Sequence, residues 1–319
     1  MSTDTPLRLA VIGAGIMGAN HARVAASLPQ FEVAYVVDPD PERAGRVAGA
    51  IGASPLADPA ALGDIDAAVV AVPTPFHAAI ATPLVERGVA VLVEKPMAAS
   101  VAEAEALAAA AERSGATLMV GHVERFNPAV LELPNLLGEV IHITANRISP
   151  FSPRITDNVV LDLMIHDLDV VASLVGRPVL DVKAVAQTVR TGTEDLVTAL
   201  LSFEGGATAV VTASRIGQQK IRELTVTHHD NVVTVDLIRQ AVTINRVDHV
   251  EYVSDSGPRY RQTGVVEIPF LEHRGEPLAL ELTEFASAIT QRRPARVGAA
   301  DGVRAVALVE RVLQAVRGD

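Results

Sequence analysis

The sequence predicts an α/β protein in which a parallel sheet wound with helices precedes a second domain built on a large, open, mostly antiparallel sheet. Short apolar strands alternate with helical segments up to residue 126, and longer strands of alternating polarity dominate after it. Hydrophobic residues make up 49% of the chain but aromatic residues only 3%, so the core is aliphatic. Such a composition suits buried parallel strands that are covered by helices.

The first domain is predicted over residues 1–126, since a length of 319 residues suits about two domains. Strands separated by helical segments indicate βαβ units and a parallel, doubly wound sheet. The predicted strands are Leu7–Ile12, Phe31–Val37, Ala67–Val72, Val89–Val93 and Thr117–Val120. The predicted helices include Ala14–Leu28, His77–Arg87 and Val101–Arg113.

The second domain is predicted over residues 127–319, where one long helix, Val159–Val175, is followed by a series of strands. Alternation of polar and apolar residues, together with hairpin turns such as Glu204-Gly-Gly206, indicates antiparallel pairing. The strands are Val179–Val189, Leu196–Phe203, Ala207–Arg215, Arg222–His228, Val232–Asp236, Val242–Asn245 and Val265–Ile268. Helices near Pro277–Gln291 and Asp301–Arg317 close the chain.

Charge and cysteine content exclude several classes of function. The net charge of −11 argues against a nucleic-acid partner, which needs clustered positive charge. The chain has no cysteine, so disulfides, thiolate catalysis and cysteine-based zinc sites are excluded. The longest uncharged run, Ala67–Val85, contains three prolines and is interpreted as strand, loop and helix rather than a membrane span. The first residues lack a signal-peptide pattern, so we expect a cytoplasmic protein with no membrane partner.

A glycine-rich loop follows the first strand and opens the first helix, the context in which three spaced glycines bind a dinucleotide pyrophosphate. Asp38 ends the second strand, where a carboxylate binds the adenosine ribose hydroxyls and repels a 2′-phosphate. NAD is therefore favoured over NADP, although Arg43 lies close enough in sequence to weaken the preference. The loop residues expected at the cofactor are Gly13, Gly15, Ile16, Met17 and Gly18.

A lysine lies at the end of an apolar strand. Only three of the 27 basic residues are lysine, and one of them, Lys95, directly follows Val89–Val93 within the run Glu94-Lys95-Pro96. Ligands of open parallel sheets bind outside the carboxyl ends of the strands. We therefore expect Lys95 beside the nicotinamide end of the cofactor rather than on a solvated surface.

A second group of chemical residues lies on the long helix. Asp162, His166 and Asp169 are spaced i, i+4 and i+7, which places them on one stripe of an α-helix. A histidine between two acids is suited to general-base catalysis near neutral pH. A helix-capping Asp162 with a surface His166, or part of a metal site, is the alternative, and more ligands would be needed for a metal.

Several further polar residues are candidates for substrate contact. His122 follows the last strand of the first domain, and Arg125 and Asn127 lie at the domain junction, where a hydrogen-bonded hinge is the alternative. Arg147 and Arg154 flank a proline- and serine-rich segment before the long helix and are suited to binding a phosphate or carboxylate. A solvated loop is the alternative for those two arginines.

Three motifs together resemble the Gfo/Idh/MocA oxidoreductases: Gly13–Gly18, the strand and loop Val69–His77, and Glu94-Lys95-Pro96. Members of this family have an N-terminal Rossmann domain and a C-terminal α/β domain with a large open sheet. The resemblance implies that Lys95 contacts both substrate and nicotinamide ribose, and that Asp162 and His166 match the family's second signature, an Asp four residues before the catalytic His. The residues implied to line the cofactor cleft are Thr74, Pro75, His77 and Glu94.

A narrower resemblance, carried by Val120–Val130, the run 162–167 and the run 276–282, is to the branch that includes UDP-N-acetylglucosamine 3-dehydrogenases. It implies a sugar or nucleotide-sugar substrate that is oxidised at a secondary ring hydroxyl, with a free polyol such as inositol or a hexose as the alternative. Members of the wider family commonly associate into dimers or tetramers through the C-terminal sheet, and we expect the same here, with no metal. The alternatives are an NAD-binding sensor without turnover and an NAD-dependent glycosidase that uses transient oxidation.

Overall fold

The structure is a computed structural model that describes residues 5–152, 158–254 and 257–318. The strands are β1 (Leu7–Ile12), β2 (Phe31–Val37), β3 (Ser54–Leu56), β4 (Ala67–Val70), β5 (Ala90–Glu94), β6 (Leu118–Gly121), β7 (His142–Pro150), β8 (Val179–Gln187), β9 (Leu196–Phe203), β10 (Thr208–Gly217), β11 (Ile221–Thr227), β12 (Val232–Asp236), β13 (Ala241–Ser254) and β14 (Gly257–Glu267). The α-helices are α1 (Ile16–Ser27), α2 (Pro41–Ile51), α3 (His77–Glu86), α4 (Val101–Ser114), α5 (Pro128–Leu136), α6 (Ile165–Val175), α7 (Pro277–Gln291) and α8 (Ala299–Arg317).

The chain divides into two compact units. The first contains Met1–Phe126 and Gly275–Ala307, and the second contains Asn127–Arg274 and Leu308–Asp319. The expected boundary after residue 126 coincides with a boundary between units. Segment 275–307, however, was expected in a continuous second domain over 127–319, and it belongs to the first unit. The reason is the apolar face of α7, whose Leu278, Leu282 and Phe285 are buried in the core of the first unit.

The first unit is built on a six-stranded sheet in the order β3-β2-β1-β4-β5-β6. Every pair of neighbouring strands is parallel. All residues of β4 and β5 are buried, as expected for strands covered by helices on both faces. The direction of winding reverses between β1 and β4, and ligands of such sheets bind at the carboxyl ends of the strands beside that reversal.

The second unit is built on an eight-stranded sheet in the order β14-β13-β12-β11-β7-β10-β9-β8. β7 and β10 are parallel, and the other pairs are antiparallel. The predicted fold class, a parallel Rossmann sheet followed by a mostly antiparallel one, is therefore confirmed. Helices α5 and α6 belong to this unit, and α6 packs on β7 and β10.

Two strands of the second sheet are much longer than their apolar patterns predicted. The expected strands Val242–Asn245 and Val265–Ile268 are the paired ends of β13 and β14. Only residues 241–245 of β13 pair with β12, whereas residues 246–254 pair with β14 alone. Strand patterns arise from burying one face in a core, and the outer part of a two-stranded ribbon has no such requirement.

Candidate active site

The three glycines of the loop after β1 have different surroundings. Gly13 has a positive φ of 96°, and a Cβ there would lie 2.4 Å from the carbonyl oxygen of Ala71. A Cβ on Gly18 would lie 1.7 Å from the carbonyl oxygen of Gly13, so α1 packs directly on the loop. Gly15 has no heavy atom within 4 Å of its Cβ position. Two glycines thus allow close packing, and the third leaves open space on the side that a ligand would approach.

The amino end of α1 is open to an anion. Gly15 is the N-cap and provides no side-chain cap, and no acidic residue lies in the first turn. The first N–H groups of a helix lack partners within it, and together with the helix dipole they favour phosphate. Ile16, which is 83% exposed, and Met17 lie at this end. The loop residues predicted to bind a pyrophosphate fit that group.

Asp38 at the end of β2 is buried and bonded to backbone on both oxygens. Its Oδ2 accepts a hydrogen bond from the amide of Ala14 at 2.8 Å, and its Oδ1 accepts one from the amide of Asp40 at 3.0 Å. Arg43 lies 3.6 Å from Oδ2. A carboxylate has about four acceptor positions, so Asp38 can hold the loop and still accept from a ribose hydroxyl.

His77 connects the two loops that follow β4 and β5. Its Nδ1 lies 2.7 Å from the carbonyl oxygen of Pro96, and its Nε2 lies 2.8 Å from that of Val72. The ring is buried, so we interpret His77 as a support of the cleft rather than as part of its surface. Thr74 and Pro75 precede it in a 3₁₀ turn, with Thr74 half-buried and Pro75 exposed.

Lys95 follows β5 and is half-buried, whereas Glu94 points inward. The Lys95–Pro96 peptide bond is cis. The amide of Lys95 donates to Oε2 of Glu94 at 3.1 Å, and Nε2 of His21 lies 2.7 Å from Oε1. Burial pushes the pKa of Glu94 upward, but the hydrogen bond and charge of His21 and the charge of Lys95 outweigh it, so the pKa is below its ordinary value. Glu94, which was predicted to contact the cofactor, is therefore a buried carboxylate that carries a negative charge next to Lys95 in the chain.

The residues after β6 have structural partners in their own units. His122 is buried. Arg125 lies in a short 3₁₀ turn with a guanidinium nitrogen 3.8 Å from Asp301. Asn127 caps α5 by accepting from the amide of Ala129 at 3.1 Å and donates to the carbonyl oxygen of Leu237 at 2.9 Å. Both of these hydrogen bonds of Asn127 are made within the second unit.

The Asp–His segment differs from the regular helix that was predicted. Residues Val160–Met164 form a π-helical turn, and α6 begins only at Ile165. Asp162 and His166 are both half-buried, Asp169 is buried, and Leu161 is exposed. A π turn widens the helix and changes the side-chain spacing, so Asp162, His166 and Asp169 do not have the regular α-helical spacing that was expected. Such turns are frequent at functional sites.

Arg147 was predicted to bind substrate, and in the structure its side chain is buried against an internal carboxylate. The side chain lies in β7, is only 1% exposed, and faces the buried Asp167. Its Nε donates to Oδ2 of Asp167 at 2.6 Å and its Nη2 donates to Oδ1 at 3.0 Å. The guanidinium of Arg147 therefore binds Asp167, the residue after His166, because α6 packs on β7 where the two side chains meet. Arg154, the other predicted arginine, lies outside the described residues.

The described residues contain neither a group of possible metal ligands nor a helix that could cross a membrane. Among residues 5–152, 158–254 and 257–318, no group of three or more His, Asp or Glu side chains could hold a metal ion. In the same ranges, none of the helices combines the length and apolarity that crossing a bilayer requires.

The fold and the loop define the class of protein: an oxidoreductase that uses a nicotinamide cofactor bound on a Rossmann unit. The chain belongs to the Gfo/Idh/MocA family. Residues 7–122 match the family described as "Oxidoreductase family, NAD-binding Rossmann fold", and residues 134–230 match the GFO/IDH/MocA C-terminal domain. The chain is a dehydrogenase that acts on CH–OH groups, like the relatives named in the next paragraph.

Two relatives and one solved structure illustrate the similarity. The chain is 33% identical to a UDP-N-acetylglucosamine 3-dehydrogenase of Acidithiobacillus ferrooxidans, over 97% of both chains. A solved structure described as that enzyme covers 98% of both chains with a TM-score of 0.88 and 30% identity. An inositol 2-dehydrogenase of Rhizobium meliloti is 26% identical over 97% of both chains.

Sequence reasoning missed three residues of this region. His21, Asp167 and Glu281 are buried. His21 contacts Glu94, and Asp167 contacts Arg147. His21 follows the glycine loop on α1, and Asp167 adjoins the catalytic candidate. Glu281 had one usable signal, a carboxylate between apolar residues of an otherwise amphipathic helix.

Proposed function

We propose that the protein is an NAD-dependent dehydrogenase that oxidises a ring hydroxyl of a nucleotide sugar. The observation that carries the proposal is the open helix end at Gly15, with Asp38 buried beside it. The substrate class is supported by full-length similarity to the UDP-N-acetylglucosamine 3-dehydrogenase. Hydride transfer between an alcohol and a nicotinamide is reversible, so the same groups also reduce the corresponding ketone.

The preference for NAD follows from the charge at the end of β2. The Asp38 carboxylate repels a 2′-phosphate and accepts a hydrogen bond from a ribose hydroxyl. Arg43 is the opposing charge, but it lies between two acids, 3.6 Å from Asp38 and 3.4 Å from Asp40. An arginine shared by two carboxylates is a poor phosphate ligand, because a phosphate would compete with both.

The chemistry is assigned to three side chains. A bound nicotinamide supplies the hydride acceptor. His166 acts as the general base, and Nε2 is the nitrogen assigned to the substrate proton because Nδ1 is buried. Lys95 donates to the substrate oxygen and stabilises the negative charge that develops there. Asp162, on the π turn, orients the substrate hydroxyls.

Loss of the general base tests this assignment. His166→Asn should lower kcat by about 10²–10⁴-fold while NAD affinity, measured by fluorescence titration, changes little. His229→Asn, at an exposed turn of the second unit, is the matched control and should leave kcat unchanged. Full turnover in His166→Asn would remove His166 from the catalytic role.

The substrate class is tested by absorbance at 340 nm with NAD or NADP and a panel of polyols, hexoses and UDP-sugars. We expect NADH formation with UDP-N-acetylglucosamine and NAD, and weaker activity with the free sugar. Tight NAD binding without turnover on any member would indicate a sensor. Release of an aglycone without net NADH would indicate a glycosidase.

We further propose that copies of the chain associate through the second sheet. Leu180 and Val185 of β8 and Leu200 of β9 are large apolar side chains exposed on neighbouring strands. Exposed apolar patches on a sheet commonly mark an interface. Light scattering should give a dimer or tetramer mass, and Val185→Glu with Leu200→Glu should lower it.

A further inference from the structure

Three ionisable side chains form a buried group behind Lys95. His21 comes from α1, Glu94 from the end of β5, and Glu281 from α7, and all three belong to the first unit. His21 and Glu281 are 0% exposed and Glu94 is 7% exposed. Charged side chains are rarely buried to this extent unless paired, so the arrangement requires a physical explanation.

Glu94 is fixed at both carboxylate oxygens. Oε1 faces Nε2 of His21 at 2.7 Å, and Oε2 accepts from the amide of Lys95 at 3.1 Å. On the neighbouring strand, a Cβ at Gly121 would lie 3.3 Å from Oε2 and 3.2 Å from the Cα of Glu94. The absence of a side chain at Gly121 therefore makes room for the carboxylate.

Glu281 is different, because neither of its carboxyl oxygens has a hydrogen-bond partner among the described residues. Ionisation there would leave an unpaired buried charge, which costs several kcal/mol. Burial first, and then the negative charge of Glu94, raise the pKa of Glu281 well above its ordinary value. When two neighbouring carboxyl groups cannot both ionise, the one with the raised pKa keeps its proton.

We propose that His21, Glu94 and Glu281 form a positioning cluster for Lys95, in which Glu281 carries the proton and Glu94 carries the single negative charge. Glu94 fixes the backbone of Lys95 and keeps a carboxylate next to its ammonium. Neutral Glu281 keeps Glu94 in place, because a second carboxylate would repel it. The cluster rests on the role given to Lys95 in the proposed function.

The proton on Glu281 is tested directly by infrared spectroscopy of the full chain. A protonated carboxylic acid has a carbonyl stretch that is separated from those of carboxylates and amides. We expect this band in the native protein, its loss in Glu281→Gln, and its persistence in Glu112→Gln, which alters an exposed glutamate of α4. A native protein without the band, or a band that survives in Glu281→Gln, would overturn the proposal.

The effect on Lys95 is tested by amine labelling and mass spectrometry. The chain contains only three lysines, and Lys183 and Lys220 are exposed and serve as internal references. In Glu94→Gln the lost negative charge favours the neutral amine, so labelling of Lys95 relative to the references should rise about 3- to 10-fold. Glu281→Gln, which preserves a neutral side chain, should leave the ratio unchanged. An unchanged ratio in Glu94→Gln would overturn the positioning role.

Kinetic measurements on the same variants separate the proposed cluster from the proposed function. Glu94→Gln should lower kcat about 10- to 100-fold through misplacement of Lys95, with a much smaller change in NAD affinity, whereas Glu281→Gln should retain kcat. Labelling and infrared spectra need no substrate. The expected spectra and labelling in a protein that turns over no sugar would refute the proposed function and leave the cluster standing.

Discussion

The buried pair of Arg147 and Asp167 allows the sharpest prediction about the second unit. Arg147→Met removes both hydrogen bonds of the fork, at 2.6 and 3.0 Å, while leaving Asp167 only 3% exposed. Breaking a buried ion pair from one side costs about 3–5 kcal/mol, because the remaining charge is buried without its partner. We expect a loss of that size in the free energy of unfolding of β7 and α6.

The matched variants separate charge from shape. Arg147→Met with Asp167→Leu replaces the whole pair by apolar side chains, and such replacements are often neutral or stabilising. Arg147→Lys keeps the charge but loses the planar fork, so its effect should be intermediate. The double variant should therefore recover most of the lost stability.

Hydrogen exchange under increasing urea, resolved by mass spectrometry for peptides of β7 and α6, is the appropriate measurement. A chain with two compact units need not unfold in one transition, and local exchange reports each element separately. If Arg147→Met costs less than about 1 kcal/mol, or if the double variant is no more stable than the single one, the buried pair does not have the energetic role argued here.

The remaining predictions concern the glycine loop and two buried acids. Gly18→Ala should weaken NAD binding by at least about tenfold, because its Cβ would overlap the carbonyl oxygen of Gly13. The control Gly45→Ala places its Cβ in open space on α2 and should leave the NAD affinity, measured by calorimetry, unchanged. Asp195 accepts three backbone amides, and its pKa lies well below the ordinary value despite burial. It therefore stabilises the fold above the pKa of the unfolded state and loses this as pH falls, so Asp195→Asn should be less stable at neutral pH and have a flatter acid limb in thermal melts. For Glu281 the pH dependence of stability has the opposite sign. Because its pKa is raised in the folded state, the free energy of unfolding declines as pH rises above the unfolded pKa of about 4.3. The melting temperature of Glu281→Gln should therefore rise relative to that of the native protein as pH increases, and a constant difference would contradict the buried proton.

Local rules were sufficient wherever one short segment carried the signal. The glycine loop, the strand before it and the helix after it predicted the phosphate-binding turn, because Gly13 and Gly18 are required by contacts within or next to that turn. The change from helix–strand alternation to alternating strands located the boundary after residue 126. The π turn at Val160–Met164 was not predicted, since its residue types also suit a regular helix.

The sequence by itself determined the fold class, the cofactor loop and the position of Lys95 at the end of a parallel strand, because these depend on periodicity and on short-range sterics. Only the tertiary structure decided which polar groups are buried together. Arg147 and Asp167 are 20 residues apart, and His21 and Glu94 are 73 apart. Whether an arginine binds a ligand or an internal carboxylate depends on which element packs against it, and that contact is made only when the chain folds.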